Sequence, residues 1–524
     1  MSQIIQFLLN GAPHSANGVD PHTTVLQYLR EHLHMTGSKE GCAEGDCGAC
    51  TVVLGELRAD GRVSLAPINA CIRLLPTLDG KAVFTVESLQ AMTRAAPLHP
   101  VQQAMVNCHA SQCGFCTPGF VMALFALFKN EAVPSRERVC EAIAGNLCRC
   151  TGYRPILDAA QAMYSIAEGS IASAPIEPST LRDTSESAAT SGLEGDQKFV
   201  QWMRTANTAN SAALEPEDVL ASALKKLQRT STLDYVANRQ RFVAPRSIDE
   251  FSALVAANPN AWILGGGTDI GLWITKALNT NSLILYIGEV RALHEIAEAD
   301  SVLTIGAAAP LESAFRAMNR IYPELAHVWT RFASWPIRTS GTLGGNVANG
   351  SPIGDSMPAL IALGAAVVLQ KGEAQRTIPL EALYIDYKKQ SREPGEWVES
   401  IVVPRRIGTL AVASYKNSKR NEQDISAVCA AIAVRIDRGV VAHCRIAYGG
   451  MAGVPKRALN VEHALLGKSW TESTVRDAMQ AISADFTPLS DMRASAEYRM
   501  QIAQNHLLRF WHETQGDTLE ARVF

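Results

Sequence analysis

Ten of the twelve cysteines fall between Cys42 and Cys150, and only Cys429 and Cys444 lie beyond. Three of them stand in the ten residues "GCAEGDCGAC" (41–50), with Gly41, Gly45 and Gly48 interspersed. Thiols this crowded pair as disulfides, hold metal or carry out redox chemistry. A disulfide scaffold is typically a small secreted domain, whereas 524 residues predict several cores, which usually stop growing near about 250–300 residues. The start, "MSQIIQFLLNGAPHSANG", lacks a basic, signal-like leader and alternates as a strand does. These features favour ligation over bridging and a cytoplasmic setting. The most apolar run, "GFVMALFALF", is shorter than the roughly 20 residues a bilayer requires. A net charge of -3 carries no basic footprint for nucleic acid.

Spacing sharpens the reading. Cys42, Cys47 and Cys50 form C-x4-C-x2-C, and Cys71 follows after 20 residues. This is the plant-type spacing for a 2Fe–2S cluster with a distant fourth ligand. Glycines at 41, 45 and 48 can take positive φ, so that the loop curls with its N–H groups toward sulfur. A structural zinc site would show two matched pairs, and here only one C-x2-C is present. The second set, Cys113 with Cys116 and Cys148 with Cys150, has 31 residues between its pairs. Pro118 suits the first turn of a helix after Cys116, while Ser135 can start, and Gly145 or Asn146 stop, a helix just before Cys148. Antiparallel packing of those helices would bring four thiolates to one edge. On spacing alone, zinc and an iron–sulfur cluster both remain open for this set. Cys108 and Cys140 lie on helical stretches and read as buried thiols.

The pattern along the chain divides it. Residues 1–88 read as short strands with one helix, "TTVLQYLREHLH", capped by Thr23 or Thr24. Residues 89–165 read as helical. A Ser-, Ala- and Pro-rich stretch opens a linker assigned to 166–234. An α+β region follows at 235–410, and 411–524 opens with alternating strands and closes with helices. Within the α+β region, "AWILGGGTDIGLWI" runs an apolar strand into Gly265, Gly266 and Gly267. It matches neither the Rossmann nor the P-loop pattern. It offers a nest of N–H groups suited to a diphosphate, and "TSGTLGGNVANGSPIGD" (339–355) is a second such stretch. Either alone is more often just a loop in a β-rich domain; two in one domain point toward a dinucleotide.

"GCAEGDCGACTVVL", "QCGFCTPGFVMAL" and "GNLCRCTGYRPIL", in this order, resemble the iron–sulfur region of the xanthine dehydrogenase family of molybdenum hydroxylases. The resemblance covers residues 1 to about 160 and implies one 2Fe–2S cluster on each cysteine set. It also implies that Gln112 lies against a molybdopterin cofactor. The glycine-rich stretches look like the FAD domain of the same family. By position, Leu264, Gly265, Gly266, Gly267, Thr268, Asp269 and Ile270 would cradle the diphosphate, and Phe332 would contact the adenine side or the flavin environment. Thr342, Gly345, Asn346 and Asp355 would hold the ribityl–diphosphate chain, and Lys416 matches a basic residue near the flavin. Asp269 departs from the family, which often has glutamate there. "AYGGMAGVPKRA" matches a strand and turn of the C-terminal flavoprotein subdomain.

The resemblance thus implies a multidomain α+β chain. Its parts are a β-grasp plant-type ferredoxin domain (1–88), a helical-bundle 2Fe–2S domain (89–165), a two-subdomain FAD-binding domain (235–410) and a C-terminal flavoprotein domain (411–524). The chain ends about where the molybdenum-binding portion begins in single-chain members. The expectation is therefore an electron-transfer subunit, with no catalytic side chain of its own. It would work beside a molybdopterin-binding large subunit, two of each, and would pass electrons from xanthine or hypoxanthine to NAD+. The alternatives are the same role with an aldehyde or another N-heterocycle, or a zinc-binding scaffold.

Overall fold

The alternation in "IQFLL" buries Ile5, Phe7 and Leu8, and the strands it belongs to set the first sheet. The structure, a computed structural model, describes residues 4–91, 98–167, 215–406 and 408–516. They form two compact units. One takes the chain through Val243 together with Gly267–Leu283 and Ser334–Ile337; the other takes Ala244–Gly266, Ile284–Ala333 and the chain from Arg338 onward.

In the first unit, β1 (Ile5–Leu9), β2 (Ala12–Ala16), β3 (Thr51–Leu57), β4 (Val63–Asn69) and β5 (Ala82–Phe84) form a mixed sheet in the order β2-β1-β5-β3-β4. β1 and β5 are parallel, and the remaining pairings are antiparallel. Thr24 caps the helical segment that follows β2, through a reciprocal capping box with Gln27. The helix Thr117–Asn130 is buried on every side from Gly119 to Lys129, which explains its apolar run as core. Its Phe120, Phe125 and Phe128 join Ile156, Ala159 and Met163 of the helix Arg154–Ala167 in one cluster. Of the stretch 166–234 expected as linker, residues 168–214 lie outside the described residues. Glu215–Leu227 is a helix whose Leu220 and Leu224 enter the same core.

In the second unit, a five-stranded antiparallel sheet runs in the order Ile296–Glu298, Val302–Gly306, Trp397–Pro404, Ala366–Lys371, Ala374–Pro379. A four-stranded antiparallel sheet is built on Leu410–Asn417, Val428–Asp437 and Val440–Gly449, with Lys456–Arg457 at its edge. The near-continuous apolar run of Val428–Val434 reflects burial of both faces. Val428, Ala430, Ile432 and Val434 pack with the C-terminal helices, while Cys429, Ala431 and Ala433 face the core that holds the helix Ser356–Ala362. Among the described residues, no helix is long and apolar enough to cross a membrane.

Candidate functional site: two cysteine loops and a glycine-lined turn

The first cysteine loop closes on itself through backbone donors. The N–H groups of Glu44 and Cys47 point at Cys42 Sγ, at 3.5 and 3.4 Å. Gly45 and Gly48 have φ of 80° and 68°, as expected, but Gly41 does not use positive φ. The third left-handed residue is Ala43, at φ 55°. Gly41 is needed for space, because a Cβ there would sit 2.8 Å from Cys47 Sγ. Cys50 and Cys71 are buried, and Cys42 and Cys47 are half-buried. In the second set Cys113 and Cys150 are exposed, with their sulfurs 3.5 Å apart, while Cys148 is buried. The Cys150 N–H donates to Cys148 Sγ at 3.4 Å, and the Tyr153 hydroxyl accepts from the Cys148 N–H at 2.9 Å. Gln112 is exposed beside Cys113. Cys140 lies on the helix Arg136–Ile143 and Cys108 caps Pro100–Asn107; both are half-buried.

The two loops are tied together within the first unit, a link the sequence reading missed. The Leu147 N–H donates to the Cys47 carbonyl at 3.0 Å. The buried Asn146 amide donates to the Gly48 carbonyl at 2.9 Å and to Thr51 Oγ1 at 3.2 Å. Gly48 permits this approach, since a Cβ would lie 2.5 Å from Asn146 Nδ2. The available signal was the placement of Asn146 and Leu147 directly before Cys148.

Four thiols packed this closely do not all ionise. The Cys47 and Cys71 side chains, helped by the Glu44 and Cys47 N–H groups, hold Cys42 far below the usual thiol range. The Cys71 side chain draws Cys50 down against burial. Cys47 is pushed up by Cys42 and then by burial, and Cys71 by Cys42, Cys50 and burial. The second set repeats the division. The Phe115 N–H and then the Cys150 side chain lower Cys113, and Cys113 in turn raises Cys150. Burial and then Cys148 push Cys116 up to about 12. Burial works against Cys148, yet the Thr151 hydroxyl and N–H bring it down to about 7. In each set the thiols stand close enough to shift one another's ionisation, as four cysteines gathered for one iron–sulfur cluster would. A closed tetrahedral zinc site requires ligands gathered at one point. No three His, Cys, Asp or Glu among the described residues gather around a single metal-ion position.

In the second unit, two glycine-rich stretches far apart in sequence meet. A Cβ on Gly265 would sit 2.9 Å from Thr342 Oγ1, and one on Gly266 would overlap the Ser340 carbonyl. Leu264 precedes them at the buried end of the strand Trp262–Leu264. The Gly266 N–H makes no hydrogen bond to protein among the described residues; in the first unit, the N–H groups of Gly267 and Thr268 likewise make none. Asp269 and Ile270 follow at the start of the helix Ile270–Thr275, in the first unit.

The second stretch behaves differently. Thr342 caps the helix Leu343–Asn349 by accepting from the Gly345 N–H at 3.0 Å. The N–H groups of Leu343, Gly344 and Asn346 are also taken, by Ala309, Ala307 and Thr342. Its glycines serve close packing, since a Cβ on Gly344 would lie 2.5 Å from Ala307 Cα. Asn346 accepts from the Ser356 hydroxyl. Asp355 and Lys416, 61 residues apart, form a buried ion pair at 2.6 Å, and Ser426 donates to the other Asp355 oxygen at 2.5 Å. Phe332 is buried, edge-on to Phe315 at 5.2 Å between ring centres.

Family models match the chain in order: a 2Fe-2S iron-sulfur cluster binding domain (7–73), a second 2Fe-2S binding domain (85–161), the FAD binding domain in molybdopterin dehydrogenase (235–406) and the CO dehydrogenase flavoprotein C-terminal domain (413–514). Together they define an oxidoreductase-type iron–sulfur flavoprotein. The chain belongs to the molybdenum hydroxylase family. It is 31% identical to a xanthine dehydrogenase of Emericella nidulans, over 99% of this chain and 39% of that protein. It is 29% identical to a xanthine dehydrogenase/oxidase of Gallus gallus, over 96% and 39%, and 30% identical to aldehyde oxidase 2 of Cavia porcellus, over 97% and 40%. The chain thus spans about two fifths of the length of these curated relatives.

Proposed function

We propose that this chain is the electron-transfer part of a xanthine dehydrogenase, acting with a molybdopterin-binding large subunit in a cytoplasmic assembly of two small and two large subunits. When bound, two 2Fe–2S clusters and FAD would relay single electrons from the partner's molybdopterin site and release them in pairs to NAD+, in purine catabolism. Cys42, Cys47, Cys50 and Cys71 would hold one cluster, and Cys113, Cys116, Cys148 and Cys150 the other. The observation that carries the reading is the tie between the two cysteine loops, the Leu147–Cys47 bond and the Asn146 amide, which holds them side by side in one unit.

The exposed Cys113 and Cys150, with Gln112 beside them, face outward where a partner's cofactor would approach. For FAD, Leu264 to Ile270 would cradle the diphosphate, and Thr342, Gly345 and Asn346 would border its chain. Asp355 and Lys416 would act as a pair, because each already satisfies the other. Phe332 would present a ring edge held by Phe315. None of these side chains performs acid–base chemistry on a purine. The 30% identity to an aldehyde oxidase supports a second reading, the same role with an aldehyde or N-heterocycle.

The test is composition followed by turnover. The purified chain should hold about four irons and four labile sulfides. Alone it should oxidise NADH with an artificial dye and leave xanthine untouched, while the co-purified partner should restore xanthine oxidation. Zinc without sulfide, or turnover of xanthine by the highly purified chain alone, would refute the proposal.

A further inference from the structure

The helix Ile270–Thr275 ends beside the first cysteine loop, and its last residue reaches into that loop. Thr275 Oγ1 lies 2.7 Å from the Ala43 carbonyl and 3.0 Å from the Gly271 carbonyl of its own helix. A hydroxyl has one proton to give, and the shorter bond goes to Ala43. The approach is built by packing, since a Cβ on Gly271 would sit 2.7 Å from Ile72 Cβ, next to Cys71. On the other side of Thr275, Lys276 pairs with Glu44 at 3.5 Å.

The Ala43 carbonyl and the Glu44 N–H belong to one planar peptide unit. Thr275 grips its oxygen, and its N–H points at Cys42 Sγ. Ala43 is left-handed at φ 55°, a conformation that a non-glycine residue rarely adopts without an outside hold. A hydrogen bond to the carbonyl also polarises the amide and strengthens its N–H as a donor. Donors to ligand sulfur stabilise the more negative, reduced cluster and so raise its potential.

We propose that Thr275 is a positioning residue for the first cluster, acting on Cys42 through the Ala43–Glu44 peptide. This rests on Cys42, Cys47, Cys50 and Cys71 being the cluster's ligands, as proposed above.

The experiment is a redox titration of the full chain, loaded with both clusters and followed by electron paramagnetic resonance. Thr275→Val should lower the midpoint potential of the first cluster and change its line shape, with the second cluster unmoved. Thr275→Ser, which keeps the hydroxyl, should restore both. An unchanged first cluster in Thr275→Val, or an equal shift in both clusters, overturns the inference. If Thr275→Val does not load its first cluster, Thr275→Ala is read by the same criteria. Wild-type chain without 2Fe–2S signals would instead refute the ligand assignment itself.

Discussion

The two cysteine sets share a ligand chemistry but sit in opposite surroundings. In the first, Cys50 and Cys71 are only 1% and 2% exposed, and neighbouring segments press on the loop at Gly45 and Gly48. In the second, Cys113 and Cys150 are exposed, and a Cβ on Gly114 would meet nothing within 4 Å. Both gather thiols close enough to shift one another's ionisation, so exposure is not what brings them together. Exposure instead decides what can reach the cluster. A buried relay can be tuned by the protein around it, through contacts such as that of Asn146 on Gly48. An open one is within reach of solvent and of whatever docks on that face.

The largest expected effect tests whether the sets are independent. Cys71→Ser should abolish one paramagnetic signal and leave about two irons per chain, and Cys113→Ser should abolish the other signal with the same loss. Loss of both signals in either variant would mean that the sets assemble as one. A smaller effect separates the two loops by their glycines. Gly48 and Gly114 both have positive φ, so alanine at either site meets a left-handed penalty of about 1–2 kcal/mol. At Gly48 the added Cβ also runs into the Gly145 carbonyl and Asn146, an overpacking cost of about 1–3 kcal/mol more. Gly48→Ala should therefore lower the thermal midpoint and the iron content well beyond Gly114→Ala. Equal effects would show that the first loop is free to relax.

The two cysteine groupings and the domain types were legible because cysteine spacing is a local property with few solutions. What escaped were contacts closed by the fold. Nothing near Asp355 announces Lys416, 61 residues on, and nothing near Ala43 announces Thr275, 232 residues on. Gly41 and Ala43 show a subtler limit. Glycine is the usual residue at positive φ, yet here the loop's shape puts Ala43 there and uses Gly41 for clearance from sulfur. The two glycine-rich stretches looked alike in sequence, but the N–H groups of the second are taken by its own helix cap and by Ala307 and Ala309. Composition identifies a flexible turn; only the hydrogen-bond partners show whether it has donors to spare.

The smallest effect is kinetic. A chelator or oxidant must touch a cluster to dismantle it, and the only difference between the sets that bears on touching is cover. Under mild chelation the signal of the second set should decay several-fold faster than that of the first. Alkylation should appear on Cys113 and Cys150 before Cys50 and Cys71, read peptide by peptide by mass spectrometry. Equal decay would show that loop opening, rather than static exposure, controls access, and the contrast between the sets would lose its meaning. Adding the molybdopterin-binding partner gives the sharper form of the test. A partner docked over Cys113 and Cys150 should slow the second set to the pace of the first, whereas one docked elsewhere should leave the two rates as far apart as before.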